Sequence, residues 1–155
     1  MKDKYSIERI ALLHPKARPI FTAFIEECEN TFGITLRITM GLRTIEQQNA
    51  LYAQGRNGNS GKIVTDAKGG TSYHNYGLAI DLCEMVNNDT EVAWNYDMKT
   101  LLPIALKHGE EWGGTWIHIK DYPHFELRFG FKEDCSDLLE LVNQGKIDNN
   151  GYVIF

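Results

Sequence analysis

Cysteine is scarce in this sequence, with three residues in 155 at Cys28, Cys83 and Cys135. They lie far apart, are odd in number and form no CxxC pair. That excludes a cysteine zinc knuckle and a disulfide framework, and leaves three small apolar side chains for a core made in a reducing compartment. A block rich in Lys or Arg is also missing. With 16 basic residues against 21 acidic and a net charge of −5, neither nucleic acid nor an anionic membrane surface is an expected partner. No run approaches the roughly 18 apolar residues of a membrane span, and the opening MKDKYSIERIALLHPK has no apolar stretch of signal-peptide length. The expectation is synthesis in the cytoplasm without a signal peptide, and no stable membrane insertion. Internal repeats and low-complexity tracts are absent too.

What is present reads as one domain over residues 1–155, long enough to bury a core, with an ordinary 43% apolar and 24% charged content. Ser6 with Ile7, Ile10 and Ala11 predicts a short first helix. Phe21, Phe24, Ile25 and Cys28 fall on one face of a longer one between Pro15 and Gly33, with Pro19 near its start. Ile34, Leu36, Ile38 and Met40 alternate with polar residues, which predicts a strand, and IEQQNALYAQGR predicts a helix. Residues 55–71 are dominated by Gly, Asn and Ser and read as a mobile loop. Gly77 to Cys83 reads as a strand with Leu78, Ile80 and Leu82 on one face and Ala79, Asp81 and Cys83 on the other.

A helix follows over about Tyr96 to His108, where Pro103 demands a kink or a start near Leu102. Phe125, Leu127 and Phe129 alternate with His124, Glu126 and Arg128 as a further strand. Ser136 is placed as the cap of a last helix, and a small hairpin is expected around Asn150-Gly151. The fold class is α+β, with helices packed on a small antiparallel sheet.

Within this pattern the run TSYHNYGLAIDL, residues 71–82, sets Asp81 among Leu78, Ala79, Ile80 and Leu82. A carboxylate in an apolar strand is costly unless it is paired or binds a metal. His74 flanks that strand and His124 sits on the next, so two imidazoles and one carboxylate form the ligand set of a catalytic zinc site with a fourth position open. Gly77 is expected to let the chain pass close to the metal. Asp121, three residues before His124, is placed to act as a base on a water molecule. Spacing leaves rivals open: His14, His108 and His118 compete as ligands, and Glu126 competes for either carboxylate role. Trp112, Trp116 and Tyr122 are read as core.

SYHNYGLAID fits S-x-H-x-x-G-x-A-x-D, and DYPHFEL carries the D-x-x-H element. On these motifs the chain resembles the peptidase M15 family, specifically the L-alanyl-D-glutamate endopeptidases of phage endolysins and bacterial autolysins. GLRTIEQQNALYAQGR and EWGGTW are similar to that subfamily as well, and the resemblance spans about residues 10–130. It implies a hedgehog/D-Ala-D-Ala-peptidase-like zinc peptidase fold whose catalytic domain has its core in that span. Residues 131–155 would add a helix and hairpin. It implies Zn²⁺ on His74, Asp81 and His124, Asp121 as catalytic base, and Arg43, Ser72 and Gln48 as substrate-binding residues.

The chain departs from the subfamily at Gln47, where glutamate is usual, and at Thr115, where GGDW is commoner. The implied activity is hydrolysis of the L-alanyl-D-glutamate bond in the peptidoglycan stem peptide, by a monomer acting on the cell wall after release or export. The alternatives are a D,D-carboxypeptidase or dipeptidase of the same superfamily, and a non-catalytic zinc-bearing domain that binds the wall.

Overall fold

The computed structural model describes residues 1–155. Helix α1 spans Lys4–Ile10, and its cap is Asp3, whose carboxylate accepts from the Ser6 amide at 2.8 Å. Helix α2, Arg18–Phe32, carries Pro19 in its first turn, where the missing N–H has no partner to lose. It ends at Gly33 in the left-handed conformation, φ +69°. Strand β1 is Thr35–Met40 and helix α3 is Ile45–Ala53. Thr44 and Gln47 form a reciprocal capping box at the start of α3. Glutamine serves that third position as glutamate would, so the departure from the subfamily at Gln47 leaves helix initiation intact.

Residues 54–72 contain no helix or strand. A 3₁₀ turn at Tyr73–Tyr76 leads into the long strand β2, Ala79–Val86, which turns back as β3, Glu91–Ala93. Strand β3 carries no alternating pattern by which the sequence could announce it. Helix α4, Leu102–Lys107, begins where Pro103 requires, after a separate 3₁₀ turn at Met98–Leu101. Strands β4, Glu111–Trp112, and β5, His124–Glu126, are short. The alternation toward Phe129 does not continue as strand, because Phe129 has φ +51°. Helix α5 is Ser136–Asn143. Its cap is Cys135 at φ +57° with no side-chain bond, so Ser136 is the first helical residue and not the cap. The tail closes through a bridge between Ile147 and Val153. No helix is long and apolar enough to cross a membrane.

The sheet is antiparallel throughout, in the order β1-β2-β5-β4, with β3 on the far end of β2. The chain is therefore α+β, with helices covering a small antiparallel sheet. Leu78, Ile80, Leu82 and Phe125 are fully buried with Phe21, Phe24 and Ile25 of α2, and the Phe24 and Phe125 rings meet at 5.1 Å. All three cysteines are buried and free. Gly77 has a different duty from the one expected of it. At φ +65° a Cβ there would lie 2.6 Å from the His14 amide nitrogen, and its carbonyl accepts from that same amide. It is small to let the 13–14 backbone approach, not to admit a metal.

Glu110, after α4, is almost fully buried and neither carboxyl oxygen has a protein partner. Burial alone pushes its carboxyl well above the usual 4.5. The folded protein thus holds this proton more tightly than the unfolded chain, and stability falls as pH rises above the unfolded value. Glu110→Gln is expected to match the parent near pH 4 and to exceed it at neutral pH and above, measured by denaturant unfolding across that range.

Candidate metal centre and active-site cleft

Asp81 lies in the middle of β2, directly opposite His124 on β5 and opposite Met40 on β1. Opposed residues on antiparallel strands share a face. Ile80 and Leu82 therefore enter the core while Asp81 turns with His124 to the other side. His74 arrives from the 3₁₀ turn, which is tied to the segment after β1. The His74 carbonyl accepts from the Arg43 amide at 3.0 Å, and its ring Nδ1 lies 2.7 Å from the Gly41 carbonyl. The three side chains converge. His74 Nε2 is 3.1 Å from Asp81 Oδ1, His124 Nδ1 is 3.2 Å from that same oxygen, and the two nitrogens are 3.2 Å apart.

This donor set fits a metal ion. The Gly41 carbonyl can only accept, so His74 Nδ1 donates and Nε2 turns a lone pair toward Asp81. An ionised carboxylate also only accepts, so these neighbours repel unless a cation stands between them. Tetrahedral zinc, with bonds of roughly 2.0–2.1 Å, spaces its nitrogen and oxygen donors about 3.3 Å apart, close to what is found. His74, Asp81 and His124 are the group able to hold an ion. The competing histidines serve elsewhere. His14 bonds the Val153 carbonyl and stacks on Phe155, His108 pairs with Glu27, and His118 is exposed at the cleft.

The electrostatics agree. Burial pushes the Asp81 carboxyl up, but protonated imidazoles at His74 and His124 outweigh it and hold the group well below the carboxylate range; a bound cation would supply that positive charge in place of those protons. Burial pushes His124 down, while Asp81 and Glu126 outweigh that and raise it. The locus attracts positive charge. Arg43 is one such group, its Nη2 being 3.6 Å from Asp81 Oδ2.

His74 and His124 form part of the wall of a cleft of about 780 Å³ that Arg43, Ser72 and Asp121 also line. Burial raises the Asp121 carboxyl and Asp81 adds to it, against the opposing pull of His124, His74 and Arg43. Ser72 precedes the 3₁₀ turn and its hydroxyl does not cap it. Gln48 is placed differently. It is fully buried and outside the cleft lining, its Oε1 accepting from Arg43 Nη1 at 2.9 Å and its Nε2 donating to the Ala67 carbonyl at 2.8 Å. Both ends of its amide are occupied, so it braces Arg43 against the 55–71 loop.

Of the three aromatics read as core, Trp112 is buried and donates to the Tyr122 carbonyl, whereas Tyr122 itself is 55% exposed. Trp116 lines the cleft with its ring 4.9 Å from that of His124. Glu126, a rival for the ligand or base role, sits behind His124, with Oε2 2.9 Å from Nε2. Its place two residues along the same strand was the available signal.

A family model described as D-alanyl-D-alanine carboxypeptidase, of the peptidase M15 group, matches residues 65–127. Over 125 residues the chain is 41% identical to the peptidoglycan L-alanyl-D-glutamate endopeptidase CwlK of Bacillus subtilis (strain 168), covering 74% of this chain and 73% of that protein. Three solved structures are similar in fold. The L-Ala D-Glu endopeptidase ChiX of Serratia marcescens aligns with TM-score 0.58 at 24% identity, over 81% of this chain and 88% of that one. The LD-carboxypeptidase LdcB aligns with TM-score 0.54 at 20% identity, over 91% and 80%. A mutant of the D,D-pentapeptidase VanY from a VanB-type vancomycin resistance cassette, in complex with Zn(II), aligns with TM-score 0.52 at 16% identity, over 86% and 79%.

Replacing His74, Asp81 or His124 with Ala is expected to weaken Zn²⁺ binding beyond the roughly 10–100-fold typical of losing an outer-shell partner. His108→Ala and His118→Ala should leave it unchanged in calorimetric titration. Equal losses at His118 would place the ion elsewhere in the cleft.

Proposed function

The chain belongs to the peptidase M15 family, and on that footing we propose that it is a zinc metallopeptidase hydrolysing the L-alanyl-D-glutamate bond of peptidoglycan stem peptides. The observation that carries this reading is the 41% identity to CwlK, an endopeptidase of that specificity. The convergence of His74, Asp81 and His124 supports a resident metal, and the Zn(II) complex of the VanY relative supports zinc as its identity.

His74 and His124 would hold the ion through nitrogen and Asp81 through oxygen, with their spacing already near that of a tetrahedral site. Bound there, zinc supplies Lewis-acid polarisation of a carbonyl and lowers the pKa of water from 15.7 to about 7. Asp121 is the proton carrier. Its raised carboxyl lies nearer the operating pH than an exposed aspartate would, which suits a group that accepts a proton from the attacking water and returns it to the leaving amine. Arg43, braced by Gln48, presents a guanidinium to a substrate carboxylate, for which paired hydrogen bonds are its natural geometry. Ser72 adds a hydroxyl at the cleft wall.

One observation favours a second reading. The family model over residues 65–127 is described as a D-alanyl-D-alanine carboxypeptidase. Mass spectrometry of purified peptidoglycan digested with and without a zinc chelator separates the two. The expected products are new N-terminal glutamyl fragments that vanish with chelator. Loss of a terminal D-alanine would move the assignment to the carboxypeptidase, and absence of cleavage with metal bound would overturn the peptidase reading and leave that of a non-catalytic wall-binding domain. In the same assay Asp121→Asn is expected to keep its zinc and lose about 10²–10⁴-fold in turnover. His124→Ala should lose both. Near-normal activity in Asp121→Asn would remove Asp121 from the base role.

A further inference from the structure

The side of His124 turned away from the metal locus carries a second arrangement that the reaction leaves unused. Its Nε2 lies 2.9 Å from Glu126 Oε2, and the other oxygen of Glu126 accepts from Arg128 Nε at 2.6 Å. Glu126 is 3% exposed, so this carboxylate is withdrawn from water and used on both sides. The local fold dictates the pairing. Two residues apart on β5, His124 and Glu126 share a face, and small Ala79 stands opposite Glu126 on β2. Arg128 is itself anchored, at 3.0 Å from Glu111 and 3.7 Å from Glu133.

The two nitrogens of an imidazole point away from each other. With Nδ1 facing Asp81 and His74, a carboxylate on Nε2 stands behind the ring and cannot join the ligand set, which disposes of Glu126 as a rival ligand. A carboxylate can only accept, so Nε2 carries the hydrogen, and with a cation standing between Nδ1 and Asp81 the lone pair is on Nδ1. Resting on the reading of His124 as a metal ligand, we infer that Glu126, oriented by Arg128, is a positioning residue that holds His124 in the Nε2–H tautomer and aims Nδ1 at the ion. The Gly41 carbonyl does the same for His74 with the opposite nitrogen, bonding Nδ1 and freeing Nε2. Outer partners of this kind set both tautomer and ring orientation of a ligating histidine. Trp116, 4.9 Å away, packs against the same ring.

The geometry makes an unusual demand on variants. Arg128 only donates, so in Glu126→Gln the amide oxygen must face Arg128 and the NH₂ must face Nε2. That drives His124 to the wrong tautomer. Zn²⁺ affinity, measured on the full chain by chelator competition, is expected to fall about 10–100-fold in Glu126→Ala and at least as far in Glu126→Gln. Adding Arg128→Met to Glu126→Gln frees the amide to rotate its oxygen onto Nε2 and should recover most of the affinity. Long-range ¹H–¹⁵N spectra should follow the Nε2–H of His124 through the same series, lost in Glu126→Gln and regained in the double variant.

Wild-type affinity in Glu126→Ala, alongside a loss in His124→Ala, would overturn the positioning role alone. Wild-type affinity in His124→Ala would instead remove the ligand reading on which it rests. A double variant no tighter than Glu126→Gln would assign the effect to lost charge and overturn the tautomer assignment. If Glu126→Ala does not fold, the two glutamine variants decide the matter by themselves.

Discussion

The register that sets Asp81 opposite His124 across β2 and β5 is the constraint on which the rest of the site depends. Side chains alternate along a strand, so a slip of one residue would carry Asp81 into the core and turn Ile80 or Leu82 into the cleft. The fully buried Leu78, Ile80, Leu82 and Phe125 resist that slip, since each would exchange a dry environment for water. On the other edge of β2 the pairing with β1 shifts between Ile38 and Met40, and the Thr39 hydroxyl bonds the Asp81 carbonyl at 3.1 Å. The hydrophobic core thereby determines where the carboxylate points.

From this fixed point the cleft is assembled by loops. The turn bearing His74 is fastened to the segment after β1 by the Gly41 carbonyl and the Arg43 amide, so the imidazole and the guanidinium arrive together. Gln48 extends the connection into the 55–71 loop through Ala67, and Arg56 adds bonds to the Tyr52 and Thr65 carbonyls. That stretch lacks secondary structure but is well bonded at its cleft side. Asp121 is brought to the opposite wall by the turn after Gly113. There a Cβ at Gly113 would lie 2.5 Å from the Asp121 carbonyl oxygen. The glycine is needed for the Asp121 segment to pack against that turn and beside His124.

The charge pattern divides the labour between two carboxylates that begin chemically alike. Asp81 is held ionised by the positive charge that protonated imidazoles, or a cation in place of their protons, set beside it. Asp121 is buried near Asp81 and its proton affinity rises. Environment, not residue type, separates their proton affinities. Glu126 is a third variation, withdrawn behind His124 and saturated by Arg128.

By itself the sequence determined the elements whose hydrophobic period is strong. The α2 face at Phe21, Phe24, Ile25 and Cys28, the strand around Asp81 and the start of α4 at Pro103 are written in local spacing and backbone restriction. It also marked Asp81 as a carboxylate in need of a cation, because a buried charge is costly wherever it occurs. What only the tertiary structure decided was partnership. His14, His108 and His118 are indistinguishable from His74 and His124 in composition, and they separate only when pairing registers and turns bring two of the five to one oxygen atom. Gln48 became a brace, Trp116 part of the cleft wall and Gly77 a point of backbone contact for the same reason. Local sequence carries propensity over a few residues, whereas a site is a set of distances between residues as far apart as 41 and 126, which exist only once the chain has packed.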